Sequence, residues 1–198
     1  MSELQAIALY VGVAWGSGLN LYATILILAF LEMSGQLELP PSLSLLSNSW
    51  ILAVAAVLYA IEFVADKIPW VDSVWDAIHT FIRIPAGALL ALGSIPSVDP
   101  VFQTLAVLLG GTIAAGSHGV KMTTRLVINT IPEPVTNWLA SLSEDALVVS
   151  GLILMAHHPA IFLLTLFGLV AVALYFLLRL FKAARLATTQ ARARYARS

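Results

Sequence analysis

Apolar runs of membrane-spanning length, separated by short polar segments, set the organisation of this chain. A helix of about 20 apolar residues crosses a bilayer, or about 17 where its ends snorkel. On that measure six spans are predicted, giving an all-α, polytopic membrane helical bundle. The first covers residues 5–31 and ends in an acidic segment with Glu32, Glu38, Pro40 and Pro41. Residues 50–65 form the second, and residues 80–95, with Pro85 and Gly87 inside, the third. Residues 101–129 form the fourth. The stretch 142–181 would be about 60 Å long as one helix, so it must fold back into a fifth and a sixth. His157-His158-Pro159 is the predicted turn.

Two of these runs carry polar breaks at matching places. Residues 6–26 and 106–126 align without a gap, with Ala6, Leu9, Ala14, Gly16, Ser17, Thr24 and Leu26 identical to the residues 100 positions later. Gly16-Ser17-Gly18 and Gly116-Ser117 therefore predict two helices broken near their middle, opening two related three-helix halves, residues 1–98 and 99–182. An odd number of spans separates the breaks, so the second half is expected to be inverted in the membrane.

Composition agrees. The chain is 60% hydrophobic and 11% charged, with a mean hydropathy of +0.92, whereas a soluble domain carries roughly 25% charged residues. No secretory signal is read in Met1 to Leu4, so the first helix is expected to remain in the product. With no cysteine, disulfides, thiolate nucleophiles and Cys-ligated metals are excluded. All ten Lys and Arg lie away from residues 32–49, 96–100 and 157–159, the partition expected if those loops are external and both termini cytoplasmic. Residues 183–198 read as a basic cytoplasmic tail that meets anionic headgroups.

Candidate chemistry falls in two places. Glu62, Asp66, Asp72, Asp76 and His79 lie within 18 residues of one another at helical spacings, which suits a proton relay, a divalent-cation site or a structural metal. Against this stands a solvated cytoplasmic turn with Trp70 and Trp75 as interfacial anchors. Glu62 is the sharpest, because it sits in an apolar run and must be buried with a partner, for which Lys121 and Arg125 are the candidates. The second place is the paired breaks. Gly16, Ser17, Gly18 and Asn20, with Gly116, Ser117, His118, Lys121 and Arg125, would expose amides and positive charge to a small anion. Ion pairs across the bundle and close helix packing explain the same residues without a ligand. Ser143-Glu144-Asp145 reads as the capped start of the fifth helix. No nucleotide-binding or hydrolase motif is present, and neither a cofactor nor a nucleic-acid partner is expected.

The segment Glu62-Phe63-Val64-Ala65-Asp66-Lys67-Ile68-Pro69-Trp70-Val71-Asp72, with Gly16 to Asn20, Gly116-Ser117-His118, Lys121, Arg125 and Ser143-Glu144-Asp145, resembles a bacterial integral-membrane family catalogued as domain of unknown function 4126. The resemblance implies a compact membrane bundle and supplies no mechanism. From the residues, the expectation is a small inner-membrane secondary transporter or channel for a small anionic solute, proton-coupled through Glu62, Asp66, Asp72, Asp76 or His79. Membrane lipids and further copies of the chain are its expected partners. Two alternatives remain at this stage. One is an enzyme acting on a lipid-linked phosphate with a divalent cation, the other an assembly subunit without a solute path.

Overall fold

In the computed structural model, residues 1–95, 99–130, 133–175 and Arg179 are described, and the basic tail of residues 183–198 lies outside them. The helices are α1 (Glu3–Met33), α2 (Ser49–Ala65), α3 (Val71–Gly93), α4 (Pro100–Ile128), α5 (Pro134–His157) and α6 (Pro159–Tyr175), with a short 3-10 helix at Pro41–Ser47. Side chains of Ser2, Asn48 and Asp99 accept hydrogen bonds from Gln5, Trp50 and Val101 amides and start α1, α2 and α4, satisfying amides that a helix leaves free. The predicted turn at His157-His158-Pro159 is where α5 ends and α6 begins.

α1 is not one rod. Asn20 takes φ −149° and ψ 99°, and its Oδ1 accepts the Ala23 amide at 2.9 Å, so it ends one helical arm and caps the next. A Cβ added to Gly16 would lie 2.7 Å from Thr24 Oγ1. In a straight helix these residues stand about 12 Å apart. The arms therefore fold back on each other, and both open toward one end of the bundle. There Tyr10 donates to the Ala106 carbonyl near the start of α4 at 2.7 Å. Ser47 bonds Glu32, Ser42 bonds the carbonyl of Gly93, the last residue of α3, and His157 meets Gln36 at 3.0 Å. The opposite end gathers the last turns of α2 and α4 with the first turns of α3 and α5.

The helices are amphipathic inside out. Along α3, Asp72, Asp76, His79 and Arg83 recur at spacings of four, three and four residues and all are buried, while Val74, Ile78, Phe81 and Leu89 are 58–83% exposed. Water would impose the reverse. Hydrocarbon accepts it, because outward apolar side chains cost nothing in lipid and inward charges can pair. Among the described residues α1, α4 and α5 are long and apolar enough to span a bilayer. A fourth span is reached if the 3-10 helix and α2, which meet at 64°, count as one.

This corrects the expected regularity in three places. The helix containing Gly116-Ser117 runs unbroken from Pro100 to Ile128, so only the first of the two predicted breaks exists, and it falls at Asn20. α3 begins at Val71, well before residue 80, because Asp72, Asp76 and His79 find partners inside the bundle. α5 begins at Pro134, so Ser143 sits within a helix and does not cap one.

Candidate functional site: a buried charge network at a helix tip

The site begins with helical spacing. Glu62 on α2 with Asp66 capping its end, Asp76 and Arg83 on α3, and Lys121 and Arg125 on α4 with Asn129 capping its end each repeat at one turn or two, so every helix presents a polar stripe to the same interior volume. Lys121 Nζ lies 2.7 Å from Asp66 Oδ2, 3.3 Å from Glu62 Oε1, 3.5 Å from Glu144 Oε2 and 3.6 Å from Asp76 Oδ1. Arg83 forks between Glu62 Oε1 at 2.7 Å and Asp76 Oδ1 at 2.9 Å. Arg125 reaches Glu144 at 2.7 Å, Asp66 at 3.5 Å and Asp72 at 3.9 Å, and donates to the carbonyls of Asp66 and Asn137 at 3.0 and 3.1 Å. Asn129 donates to Asp72 Oδ1 at 2.7 Å and accepts from Asn137 at 3.1 Å.

Burying ions is tolerable only when attraction and hydrogen bonds replace lost hydration. Here the replacement is incomplete. Within these ion pairs three cations, Arg83, Lys121 and Arg125, face five carboxylates, Glu62, Asp66, Asp72, Asp76 and Glu144. Fully ionised, they carry two negative charges in excess. Glu62 Oε2, Asp66 Oδ1, Asp72 Oδ2 and Asp76 Oδ2 are buried without a hydrogen-bond partner.

The tip of α1 rests on this network. Asn20 Nδ2 donates to Asp145 Oδ1 at 3.0 Å, and Tyr59 donates to Asp145 Oδ2 at 3.3 Å. His79 Nδ1 lies 2.8 Å from the Trp75 carbonyl, which can only accept. Nδ1 therefore carries the hydrogen, and Nε2 accepts from Tyr22 OH at 3.1 Å. His118 holds a conflict. Its Nδ1 lies 3.3 Å from both Arg83 Nη1, which can only donate, and the Gly18 carbonyl, which can only accept. A neutral imidazole serves one of them at a time.

A family model described as "Domain of unknown function (DUF4126)" matches residues 7–179. The chain belongs to the DUF4126 family. No curated protein and no solved structure matches it.

In this DUF4126 chain the segment that carries the resemblance, residues 62–72, supplies Glu62 and Asp66 at the end of α2 and Asp72 at the start of α3, three of the network's five carboxylates. Glu62 is fully buried and paired with Lys121, as expected, and more closely with Arg83. Asp76, His79, Asn20, Ser117 and His118 are buried with them. Gly16 faces Thr24 of the second α1 arm and Ser17 lies against Gly87 of α3, while a Cβ on Gly18 would overlap Ser117 Oγ and the Ala114 carbonyl of α4. Gly116 stands apart, with nothing within 4 Å of the position a Cβ would take.

Lys121 and Arg125 do not stand free for an anion, since each already faces carboxylates. Asp72, Asp76 and His79 part toward Asn129, Arg83 and Tyr22. Among the described residues no set of three His, Asp or Glu groups is arranged for a metal ion. Outside the network, burial pushes the Lys67 ammonium in the α2–α3 loop below its ordinary value, with Asp145 and Asp66 pulling it back up.

Sequence reasoning assigns Glu144 and Asp145 to a helix start and singles out none of Arg83, Asn129 and Asn137 as part of a site. In the sequence Arg83 counts only as one of the ten basic residues away from the external loops. The signal that reveals it is its seven-residue spacing from Asp76 and four-residue spacing from His79, which put all three on one stripe.

Proposed function

We propose that this DUF4126 chain is a small membrane transport protein in which the buried charge network binds and releases protons as a solute passes the tip of the broken helix. One observation carries this reading: five carboxylates share three cations inside an apolar bundle, and four of their oxygens lack any donor. Excess buried negative charge is costly in hydrocarbon and is relieved by taking up protons or another positive species. The tip at Asn20 supports the transport part. Non-helical backbone at membrane depth is tolerated where protein or a water path satisfies it, and discontinuous helices recur at transporter sites.

The expected anionic solute fits less well. Protons on Asp66, Glu62 or Glu144 would have to release Lys121 and Arg125 before an anion could bind. In the assembly-subunit reading the ion pairs only lock the helices together. The positive-inside rule, applied to Lys67 in the α2–α3 loop and to the basic residues after α6, supports a cytoplasmic network end. Because both arms of α1 open the other way, that orientation would put the N-terminus outside with residues 34–48, in contrast to the cytoplasmic N-terminus expected from the sequence.

Two experiments test this. Proteoliposomes loaded with a pH-sensitive dye should move protons when gradients of potassium, sodium, chloride, phosphate or acetate are imposed, and Glu62→Gln should abolish the movement while the protein still elutes as a folded species. No proton movement above that of empty liposomes under any of these gradients would favour the assembly reading. For the sidedness, cysteines placed at Ser2 and Ser44 should react with an impermeant thiol reagent from the same side, and labelling from opposite sides would contradict the folded-back α1.

A further inference from the structure

Two neighbouring residues of α4 hold carbonyls of the first arm of α1. Ser117 Oγ lies 2.9 Å from the Trp15 carbonyl, and His118 Nδ1 lies 3.3 Å from that of Gly18, two residues before the break at Asn20. In an unbroken helix the Gly18 carbonyl would accept the Tyr22 amide, which here lies beyond the break. The two contacts differ in what competes for them. Ser117 can turn only to carbonyls of its own helix, whereas His118 Nδ1 has Arg83 Nη1 of the charge network at the same 3.3 Å.

The buried imidazole has two neutral arrangements, and Thr80 completes each. Thr80 Oγ1 lies 2.8 Å from His118 Nε2 and 3.1 Å from the Asp76 carbonyl, and its hydroxyl has one hydrogen to give. With the ring hydrogen on Nδ1, His118 donates to Gly18, accepts from Thr80, and leaves Arg83 to Glu62 and Asp76. With it on Nε2, His118 donates to Thr80, Thr80 donates to the Asp76 carbonyl, and Nδ1 accepts from Arg83. Gly18 then loses the imidazole. Arg83 selects between them, because ionised Glu62 at 2.7 Å and ionised Asp76 at 2.9 Å draw it away from the ring. A proton on Asp76 weakens that pull. Lys121, one turn along α4, is the other charged group near the ring. Glu62 on α2 acts through Arg83, and α1 presents the uncharged Gly18 carbonyl.

We propose that His118 is the positioning residue that couples the charge network to the broken helix, holding Gly18 while the network is ionised and turning to Arg83 when the network takes up a proton. The inference rests on the proton-linked reading and supplies its coupling step. In the change the Nδ1–H bond breaks, its electron pair stays on Nδ1 and the proton passes to water, while Nε2 binds a proton from water. The ring stays neutral, and the first arm of α1 is released at the carbonyl ahead of its break.

The test follows the ring nitrogens by ¹⁵N NMR of the full-length chain in lipid bilayers, labelled at its four histidines. His118 is assigned by difference from His118→Gln or, should that variant not fold, by replacing His157 and His158 and leaving only His79 beside it. His118 should carry its hydrogen on Nδ1 at alkaline pH and on Nε2 after acidification, while His79, whose Nδ1 faces the Trp75 carbonyl, keeps its hydrogen on Nδ1. Asp76→Asn, with a neutral side chain in place of the acid, should fix His118 in the Nε2–H form at every pH. One tautomer throughout the wild-type series, or an imidazolium in place of the second tautomer, overturns the proposal. In proteoliposomes His118→Gln should slow proton movement at least about tenfold, the worth of one buried hydrogen bond, and Ser117→Ala should slow it far less. Equal losses in the two variants would make His118 a packing residue and overturn the coupling role. Dye-reported proton movement with His118 held in one tautomer would overturn this inference while leaving the proton-linked function standing.

Discussion

The first arm of α1 and the middle of α4 carry the same Gly-Ser pattern 100 residues apart, yet one helix reverses direction just after it and the other runs through. The difference lies four residues beyond the shared glycine. Asn20 in α1 corresponds to Val120 in α4. Asn can cap a new helix with its side chain, here on the Ala23 amide, and donate to Asp145 with its other atom. Val offers neither bond. Glycine permits a break, but a residue that satisfies the freed backbone decides it. The two segments pack together, so the straight helix serves the broken one. Ser117 Oγ lies 2.9 Å from the Trp15 carbonyl, and His118 meets the Gly18 carbonyl ahead of the break.

The largest expected effect comes from removing the cation that joins α2, α3 and α4. Arg83→Met leaves Glu62 and Asp76 without their closest cation and removes one partner of His118. A loss of about 3–5 kcal/mol is expected, read as a fall in the thermal midpoint of detergent-purified protein. Gly18→Ala forces a methyl into the Ala114 carbonyl and Ser117 and should cost about 3 kcal/mol. Asn20→Val transplants the α4 residue into α1. It should cost about 2 kcal/mol through the lost cap and the donor taken from Asp145, and transport should fall with it. Gly116→Ala is the counter-test. With open space around it in a continuous helix, the substitution should stabilise by about 0.5–1 kcal/mol. Destabilisation there comparable to that of Gly18→Ala would mean that α4 also requires a permissive backbone.

Much of this was legible in the chain. Hydropathy exposes the helices, and a lone carboxylate in an apolar run exposes Glu62 as buried and paired. The turn at His157-His158-Pro159 follows from length alone. What misled was the use of local rules without partners. Asp72, Asp76 and His79 lower the hydropathy of residues 71–79 and so hide the first turns of α3, which stay inside only because Asn129, Arg83 and Tyr22 meet them. Glu144 and Asp145 resemble acids of a first helical turn until Arg125 and Asn20 are seen beside them. The 100-residue match pairs segments of α1 and α4 that meet in the fold but hides their asymmetry, because identity at Gly16 and Ser17 says less than the difference at Asn20.

The central claim is that α1 folds back at Asn20 where α4 runs straight, bringing a helix tip onto the charge network. With no native cysteine, spin labels can be placed in pairs of equal sequence separation, at exposed Ile7 and Phe30 on α1 and at exposed Val101 and Thr124 on α4. Pulsed electron paramagnetic resonance should give about 35 Å for the α4 pair, the rise of 23 helical residues, and below about 25 Å for the α1 pair. Equal distances near 35 Å for both pairs would contradict the account.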